Sequence, residues 1–463
     1  MFAAQTYVQR RKRLREQVGD GVILLPGNSD SPMNYADNPY AFRQDSTFLY
    51  YFGLDACALV GLMDVDTGRE VVFGDDVTMD DVIWMGPQPA LAERAADAGI
   101  TETISLRMLP DILKTYLRQG RRIHYPPQYR GANVLLLQDW LSLSPAELRK
   151  TASAELIRAV AAQRSIKSTA EVEEIERAID VCCVMQTAAM RAVRPGVYER
   201  EVVGMMEGLA ISRGSMPAFP TIFTVHGETL HNHDHSNVMR SGDIVINDSG
   251  AESPLHYAGD ITRTIPVAGR FSERQKDIYA IVLNAQAAAI AAIRPGVLFR
   301  DVHLLACEIL VSGLKDMGLM RGDIKEAVAA GAHALFFQCG LGHMLGLDVH
   351  DMESLGEDYV GYTEDIVRSD QFGLHSLRLG RALEPGFVLT VEPGLYFIPQ
   401  LIHQWKAQKQ HADFIDYEAV DRFLDFGGIR IEDDVLVTAS GCRILGTPIP
   451  RTIQEVQDAC SDK

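Results

Sequence analysis

Four carboxylates and one imidazole stand in order along the later part of the chain, each inside its own short motif. They are Asp248 in Ile-Val-Ile-Asn-Asp-Ser-Gly-Ala-Glu, Asp260 in Asp-Ile-Thr-Arg-Thr, His343 in Gly-Leu-Gly-His-Met-Leu-Gly-Leu-Asp-Val-His, Glu392 in Thr-Val-Glu-Pro-Gly, and Glu432 in Gly-Ile-Arg-Ile-Glu-Asp-Asp. In one pocket these carboxylates would repel one another enough to take up protons, unless cations neutralised them. Oxygen-rich ligation with a single nitrogen suits hard or borderline divalent ions rather than a thiolate zinc site. A pair of such ions makes hydroxide from water and grips the oxygens of a reacting carbonyl.

Short strands and turns must position these groups. Asp243–Asp248 alternates and ends at Ser-Gly, and Asp260–Ile265 alternates again. Joined as a hairpin they would bring Asp248 and Asp260 side by side. Taken alone, either Asp reads as a common strand-end residue. Gly340, Gly342 and Gly346 surround His343 and let backbone and substrate approach, with His350 on the far side of the same loop. Glu392 follows a strand over 387–391 at a Pro-Gly turn. Arg430 and Glu432 share one strand face, with Ile429 and Ile431 on the other. Such a pair is ordinarily a surface ion pair; beside a metal, the Arg would orient a ligand. The densest histidine cluster, His231-Asn-His-Asp-His235, is either a polar loop or a separate metal tract.

The remaining chain divides near Ser165–Ser168. Before it, Gly21–Pro26, Ala58–Met63, Glu70–Phe73 and Arg122–Tyr125 read as strands, and Leu91–Gly99 and Leu109–Gln119 as helices, the alternation of an α/β domain. Tyr7, Leu14 and Val18 mark one side of an opening amphipathic helix, which makes the run Arg10, Arg11, Lys12, Arg13, Arg15 its solvated face. After the boundary, Ser168 or Thr169 caps a long helix with acids in its first turn. The segment Gln186–Val202 recurs as Gln286–Val302, sharing Gln, Ala, Arg-Pro-Gly-Val and a final Val. Each copy predicts a helix, a Pro-Gly stop and a second helix. Two halves packed about a pseudo-two-fold axis would explain the recurrence; two unrelated helix joints with common punctuation would not need it.

Taken together and in this order, the five motifs resemble the pita-bread metallopeptidases, a family that includes aminopeptidase P, prolidase and methionine aminopeptidase. The resemblance is close over residues 166–463 and looser over 1–165, where Tyr40–Gly53 and Ile83-Trp84-Met85-Gly86 are similar to the N-terminal domain of aminopeptidase P. It implies an α/β N-terminal domain, 1–165, and an α+β pita-bread catalytic domain, 166–463, built as an internal pseudo-two-fold repeat. It implies two divalent metal ions, most simply Mn2+, with Co2+, Zn2+ and Fe2+ open on ligand type. Asp248 would hold one ion, His343 and Glu392 the other, and Asp260 and Glu432 would bridge. Glu392 would also move a proton. His231 and His350 would steady the peptide and the developing oxyanion, with Arg430 and Trp84 also on the substrate side. His233 and His235 receive no role. Two departures stand out: the Asp248–Asp260 connection is one residue longer than the common pattern, and 395–427 reads as an insertion.

Bulk properties set limits. At 463 residues, two or three domains are expected. A net charge of −18 argues against nucleic acid or an anionic membrane as partner. An odd count of 7 cysteines with no Cys-x-x-Cys suits a reducing compartment, and no apolar run approaches a membrane span or a signal h-region, so a cytoplasmic location is expected. Cys182 and Cys183 read as core. No Gly-x-Ser-x-Gly elbow or Walker loop stands out. The expected partner is a peptide with proline second, and the expected assembly a homodimer or homotetramer. Release of the residue preceding proline is the leading activity, prolidase action on dipeptides its nearest rival. An inactive pita-bread scaffold is the rival of another class, disfavoured because all five ligands remain. A creatinase-like amidinohydrolase, which works without this metal set, is disfavoured for the same reason.

Overall fold

In the computed structural model, which describes residues 1–461, the chain forms two compact units. One comprises Met1–Arg164 with Glu353–Val360, the other Ser165–Met352 with Gly361–Lys463.

The first unit is a mixed five-stranded sheet in the order β4-β3-β2-β1-β5. Its strands are β1 (Val22–Pro26), β2 (Val60–Asp64), β3 (Glu70–Phe73), β4 (Thr103–Ile104) and β5 (Ile123–His124). Helices α1 (Ala4–Val18), α2 (Ser46–Phe52), α3 (Met79–Met85), α4 (Leu91–Asp97), α5 (Leu109–Arg118), α6 (Gly131–Leu141), α7 (Pro145–Thr151) and α8 (Ala154–Ser165) surround it. Val22, Leu24, Leu62, Val71 and Phe73 share one buried cluster with Leu113, Leu137 and Trp140. The basic run on α1 is not all solvated. Arg11 is fully buried: it donates to the carbonyls of Tyr51 (2.9 Å) and Ala98 (3.0 Å) and pairs with Glu70 at 2.7 Å. Arg10 donates to Tyr50 O at 3.0 Å. The last carbonyls of α2 have no partner within their own helix, and a guanidinium can satisfy several such groups at once.

The second unit carries the repeat. Helices α9 (Thr169–Ala192) and α10 (Glu199–Ile211) precede a sheet of β6 (Ile222–Thr224), β7 (Ile244–Glu252) and β8 (Ala258–Pro266). Helices α11 (Glu273–Ala292), α12 (Phe299–Asp316) and the shorter α13 (Ile324–Ala329) precede β9 (Val388–Val391), β10 (Gly394–Tyr396), β11 (Gly428–Arg430), β12 (Asp433–Val437) and β13 (Cys442–Ile444). Helices α15 (Pro399–Gln408) and α16 (Tyr417–Val420) lie between β10 and β11, and α17 (Ile453–Ser461) follows; α14 (Glu357–Val360) belongs to the first unit. Ser168 caps α9 in a reciprocal box with Glu171, and Ser272 caps α11 with Gln275.

Both Arg-Pro-Gly-Val turns are built alike. Gly196 donates to Met239 O at 2.9 Å and Gly296 to Leu383 O at 2.8 Å; Met239 donates to Val197 O and Leu383 to Val297 O. Both glycines have positive φ, 89° and 84°, which a side chain would resist. The repeated glutamines also match. Gln186, wholly buried on α9, donates to Asn247 O (3.2 Å) and Ile261 O (2.7 Å). Gln286, wholly buried on α11, donates to Val391 O (3.3 Å) and Asp433 Oδ2 (3.0 Å). In each half one amide ties together two strands at residues adjoining the candidate ligands: Asp248 and Asp260 in one, Glu392 and Glu432 in the other. The fold is the pita-bread arrangement with an internal repeat.

Candidate metal centre

β7 and β8 form a long hairpin that continues past the site. Asp248 pairs with Thr262, and Asp260 with Gly250. Asp248 is therefore mid-strand rather than at a strand end, because the turn lies further on, at 253–257. The two aspartates are diagonal neighbours on one face, which still brings their side chains within reach. Gly259 keeps the opposite face of the hairpin close to α9: a Cβ there would meet Ile179 N at 3.0 Å.

β8 lies along the segment that joins β11 to β12. Glu432 N donates to Thr262 O at 3.1 Å, and Asp260 N donates to Asp434 Oδ2 at 2.9 Å. The His343 segment runs beside β9. Thr390 N donates to His343 O (3.0 Å), and Glu392 N donates to Leu341 O (2.8 Å). Gly342 is obligatory there, since a Cβ would lie 2.0 Å from Thr390 O.

These contacts gather side chains from both halves. Ligand atoms of Asp260, His343 and Glu432 lie within 4.8 Å of one another, all buried. His343 Nε2 is 3.5 Å from Asp260 Oδ2 and 3.4 Å from Glu392 Oε1. Its Nδ1 donates to Met344 O at 3.0 Å, so the Nε2 lone pair faces the carboxylates. Asp248 Oδ1 and Asp260 Oδ1 are buried without any hydrogen-bond donor. Buried anionic oxygens left without donors, around an imidazole lone pair, are what divalent cations satisfy, and the residues present fit them.

The electrostatics agree. Burial first, then the neighbouring carboxylates, push Asp260 and Glu432 well above the ordinary carboxyl range, and Asp434 likewise. Burial also raises Glu392, against the pull of His343. Burial lowers His343.

Arg430 does not bond Glu432 directly. Its Nη2 donates to Asp248 Oδ2 (2.5 Å), Nη1 to Tyr396 OH (3.0 Å) and Nε to Thr262 Oγ1 (3.1 Å), and Thr262 Oγ1 donates to Glu432 Oε2 at 2.6 Å. The pair shares a face but is bridged through the neighbouring strand. These are contacts that fix Asp248 and, through Thr262, Glu432 in place.

His231 is accessible to solvent yet feels Asp248, Arg430 and Arg378; burial of its ring is the main cause of its lowered basicity. The His350 ring meets His343 edge-on at 4.4 Å, and burial, then His343, Arg378 and His231, bring its pKa down to about 2. His233 is exposed, and His235 faces Phe223 O at 3.2 Å. Neither His231, His233 nor His235 belongs to a group with ligand spacing among the described residues. Trp84 is 85% exposed on α3, so it is not a core residue of its unit.

Several supporting residues were not anticipated. Thr262 follows Asp260 on the same strand face, and that alternation was readable. Thr390 accepts from His343 N (3.1 Å) and donates to Glu392 Oε1 (3.2 Å). Arg378 had no motif to mark it. Cys339 stands beside Glu392 and Tyr396, its thiol pushed up to about 12 by burial and by Glu392.

Twinned helix–sheet halves with a pocket of carboxylates around one imidazole define the class, a metal-dependent hydrolase. Residues 173–439 match the model of metallopeptidase family M24, and residues 7–124 match the aminopeptidase P N-terminal domain. The chain is 32% identical over 459 residues to a human Xaa-Pro dipeptidase, covering 97% of this chain and 90% of that one. It is 32% identical over 468 residues to the Xaa-Pro aminopeptidase of Escherichia coli K12, covering 98% and 97%. Among solved structures, Pseudomonas aeruginosa aminopeptidase PepP superposes with a TM-score of 0.82 at 29% identity, and Zn-substituted E. coli aminopeptidase P in complex with product with 0.80 at 29%. Each structure match covers 99% of this chain and 98% of the other. The chain belongs to metallopeptidase family M24. It carries an aminopeptidase P N-terminal domain before a pita-bread catalytic domain.

Proposed function

We propose that this protein is a dinuclear metal-dependent aminopeptidase that releases the N-terminal residue preceding proline. The carrying observation is the convergence of Asp248, Asp260, His343, Glu392 and Glu432, with donorless carboxylate oxygens at its centre. Asp248, Asp260, His343, Glu392 and Glu432 would together hold two divalent ions, Asp248 on one side, His343 and Glu392 on the other, with Asp260 and Glu432 shared between them. When bound, the ions supply an activated water and polarise the scissile carbonyl. Mn2+ is the proposed metal, and the proposed domains are 1–165 and 166–463.

The chain's own residues do the rest. Glu392, whose basicity is raised by burial, accepts and returns the proton. His350 and His231 are held neutral, and a neutral imidazole donates a hydrogen bond to a developing oxyanion without taking its charge. Arg430 and Thr262 fix Asp248 and Glu432 in place. Trp84 offers an exposed aromatic face of a kind that can pack on a proline ring.

Prolidase action is the second reading, favoured by the identity to the human Xaa-Pro dipeptidase. Hydrolysis of Xaa-Pro against Xaa-Pro-Xaa peptides by metal-reconstituted protein tests both. Faster cleavage of the longer peptide supports the aminopeptidase, dipeptide-only cleavage establishes the prolidase, and no cleavage of either overturns both.

A further inference from the structure

A second group of metal-ligating side chains lies in the same unit, built from none of the residues above. His303 and Cys307 stand four apart on α12, and positions i and i+4 share one helix face. The 3-10 turn Ala332–Leu335 brings His333 to that face. One ligand atom from each lies within 4.8 Å of the other two, and all three side chains are buried.

Three features make this more than a polar cluster in a core. First, the spacing is that of ligation. Cys307 Sγ is 3.4 Å from His303 Nε2, and atoms bound at about 2.0–2.3 Å around a tetrahedral ion lie about 3.3–3.7 Å apart. Second, His333 is wholly unsatisfied, and His303 Nε2 has only the Cys307 sulfur for a partner. His303 Nδ1 and both ring nitrogens of His333 are buried without a hydrogen-bond partner, and buried ring nitrogens normally have one. The carbonyl of Val328 is near enough to His333 to raise its basicity but is out of hydrogen-bond geometry. Third, both rings offer lone pairs rather than charge. Burial brings His303 to about 3 and His333 to about 4 and pushes the Cys307 thiol up, so an ion entering here would displace the thiol proton. Phe337 stacks on His303 at 5.5 Å and closes one side. The insertion closes another: its helix α15 packs on the turn that bears His333, and its Ile415 forms a bridge with Met320.

We propose that His303, Cys307 and His333 form a third metal site that takes one thiophilic d10 ion, distinct from the oxygen-rich centre. A thiolate with two imidazoles selects Cu+ or Zn2+ over Mn2+. With one thiolate, Cu+ leaves the buried site neutral, whereas Zn2+ leaves one positive charge uncompensated. Charge balance favours Cu+. The ion's role is structural: it ties α12 to the segment that runs through Cys339 into His343.

The test uses the full-length protein. Cu+ is titrated against a chromogenic Cu+ chelator, Zn2+ against a Zn2+ chelator, and the loaded protein is measured by X-ray absorption at each metal's edge. The expected result is one Cu+ per chain with a metal–sulfur path at about 2.2–2.3 Å. That path and that equivalent are lost in Cys307→Ala and kept in Cys339→Ala, the other thiol near a metal. A sulfur path with Zn2+ but not Cu+ keeps the site and reverses the charge argument. His333→Phe, which fills the space without a ligand, guards against a Cys307 variant that misfolds; it also loses the equivalent. No sulfur path with either ion, or a path unchanged in Cys307→Ala, overturns the site.

Discussion

Arg430→Met removes a charge while keeping much of the side-chain volume. In the intact protein Asp248 Oδ2 accepts from Arg430 at 2.5 Å, and Asp248 Oδ1 is buried with no donor. The substitution leaves that carboxylate without its guanidinium. A hydrogen bond to a charged group contributes about 1.5–3 kcal/mol. Part of this is felt as misorientation of Asp248, and part through Thr262, which loses the Nε donor and with it the restraint on Glu432. At 1.4 kcal/mol per decade, affinity for the metal at Asp248 falls about 10- to 150-fold. That overlaps the 10- to 100-fold usual for residues that orient ligands. The measurement is metal affinity by competition with a chelator, with turnover followed across a range of added metal. Turnover at low metal falls with occupancy and is largely restored at saturating metal, because the five ligands are still present. Arg430→Lys recovers only part, since an ammonium cannot reproduce the three-way fork to Asp248, Thr262 and Tyr396. Unchanged metal affinity in Arg430→Met would refute the positioning role. So would a turnover loss that no amount of metal restores, which would move Arg430 to the substrate.

Glu432→Ala removes a proposed bridge and is expected to abolish most activity and lower metal content by elemental analysis; normal turnover contradicts the centre. His231→Ala and His350→Ala are each expected to cut turnover about 10²-fold or more at wild-type metal stoichiometry, and metal loss in step with activity would make that histidine a ligand. Chelation is expected to lower Tm by a margin that widens as pH rises. Asp260, Glu392 and Glu432 are raised by burial in the absence of metal. The metal-free fold thus retains protons that the unfolded chain releases above about pH 4, and its stability declines as pH climbs through the raised values. A margin that does not change between pH 5 and 8 contradicts this. Trp84→Ala is expected to weaken Xaa-Pro-Xaa cleavage with fold and metal content unchanged; equal cleavage removes Trp84 from the site.

The candidate ligand motifs and the repeat stand out in the sequence because each carries a local signature. A strand ending in Asp-Ser-Gly, a histidine among glycines and a glutamate before Pro-Gly can be read from neighbours alone. The turn chemistry of Arg-Pro-Gly-Val, twice, also exposed the repeat. Register was harder. Asp248 looked like a strand end because Ser-Gly reads as a turn, yet cross-strand pairing carried β7 on to Glu252. Long-range partners were invisible. Nothing adjacent to Arg430 says that its charge goes to Asp248, and nothing near Arg11 says that it satisfies carbonyls at Tyr51 and Ala98. Such assignments depend on which chain ends meet in space, and only the fold supplies that.

The matched glutamines imply something about how the centre comes into being. Each half is stitched by its own amide, so each can complete its local strand pairing before it meets the other. One half then carries two aspartates and the other a histidine and two glutamates, and neither has enough ligands to hold a pair of ions. Repulsion becomes severe only on docking, when the two sets of carboxylates share one buried space. Cations, or protons taken up in their absence, would act as mortar between the halves. Protons and cations would therefore compete for one role, and metal loading would displace the protons that let the metal-free halves close.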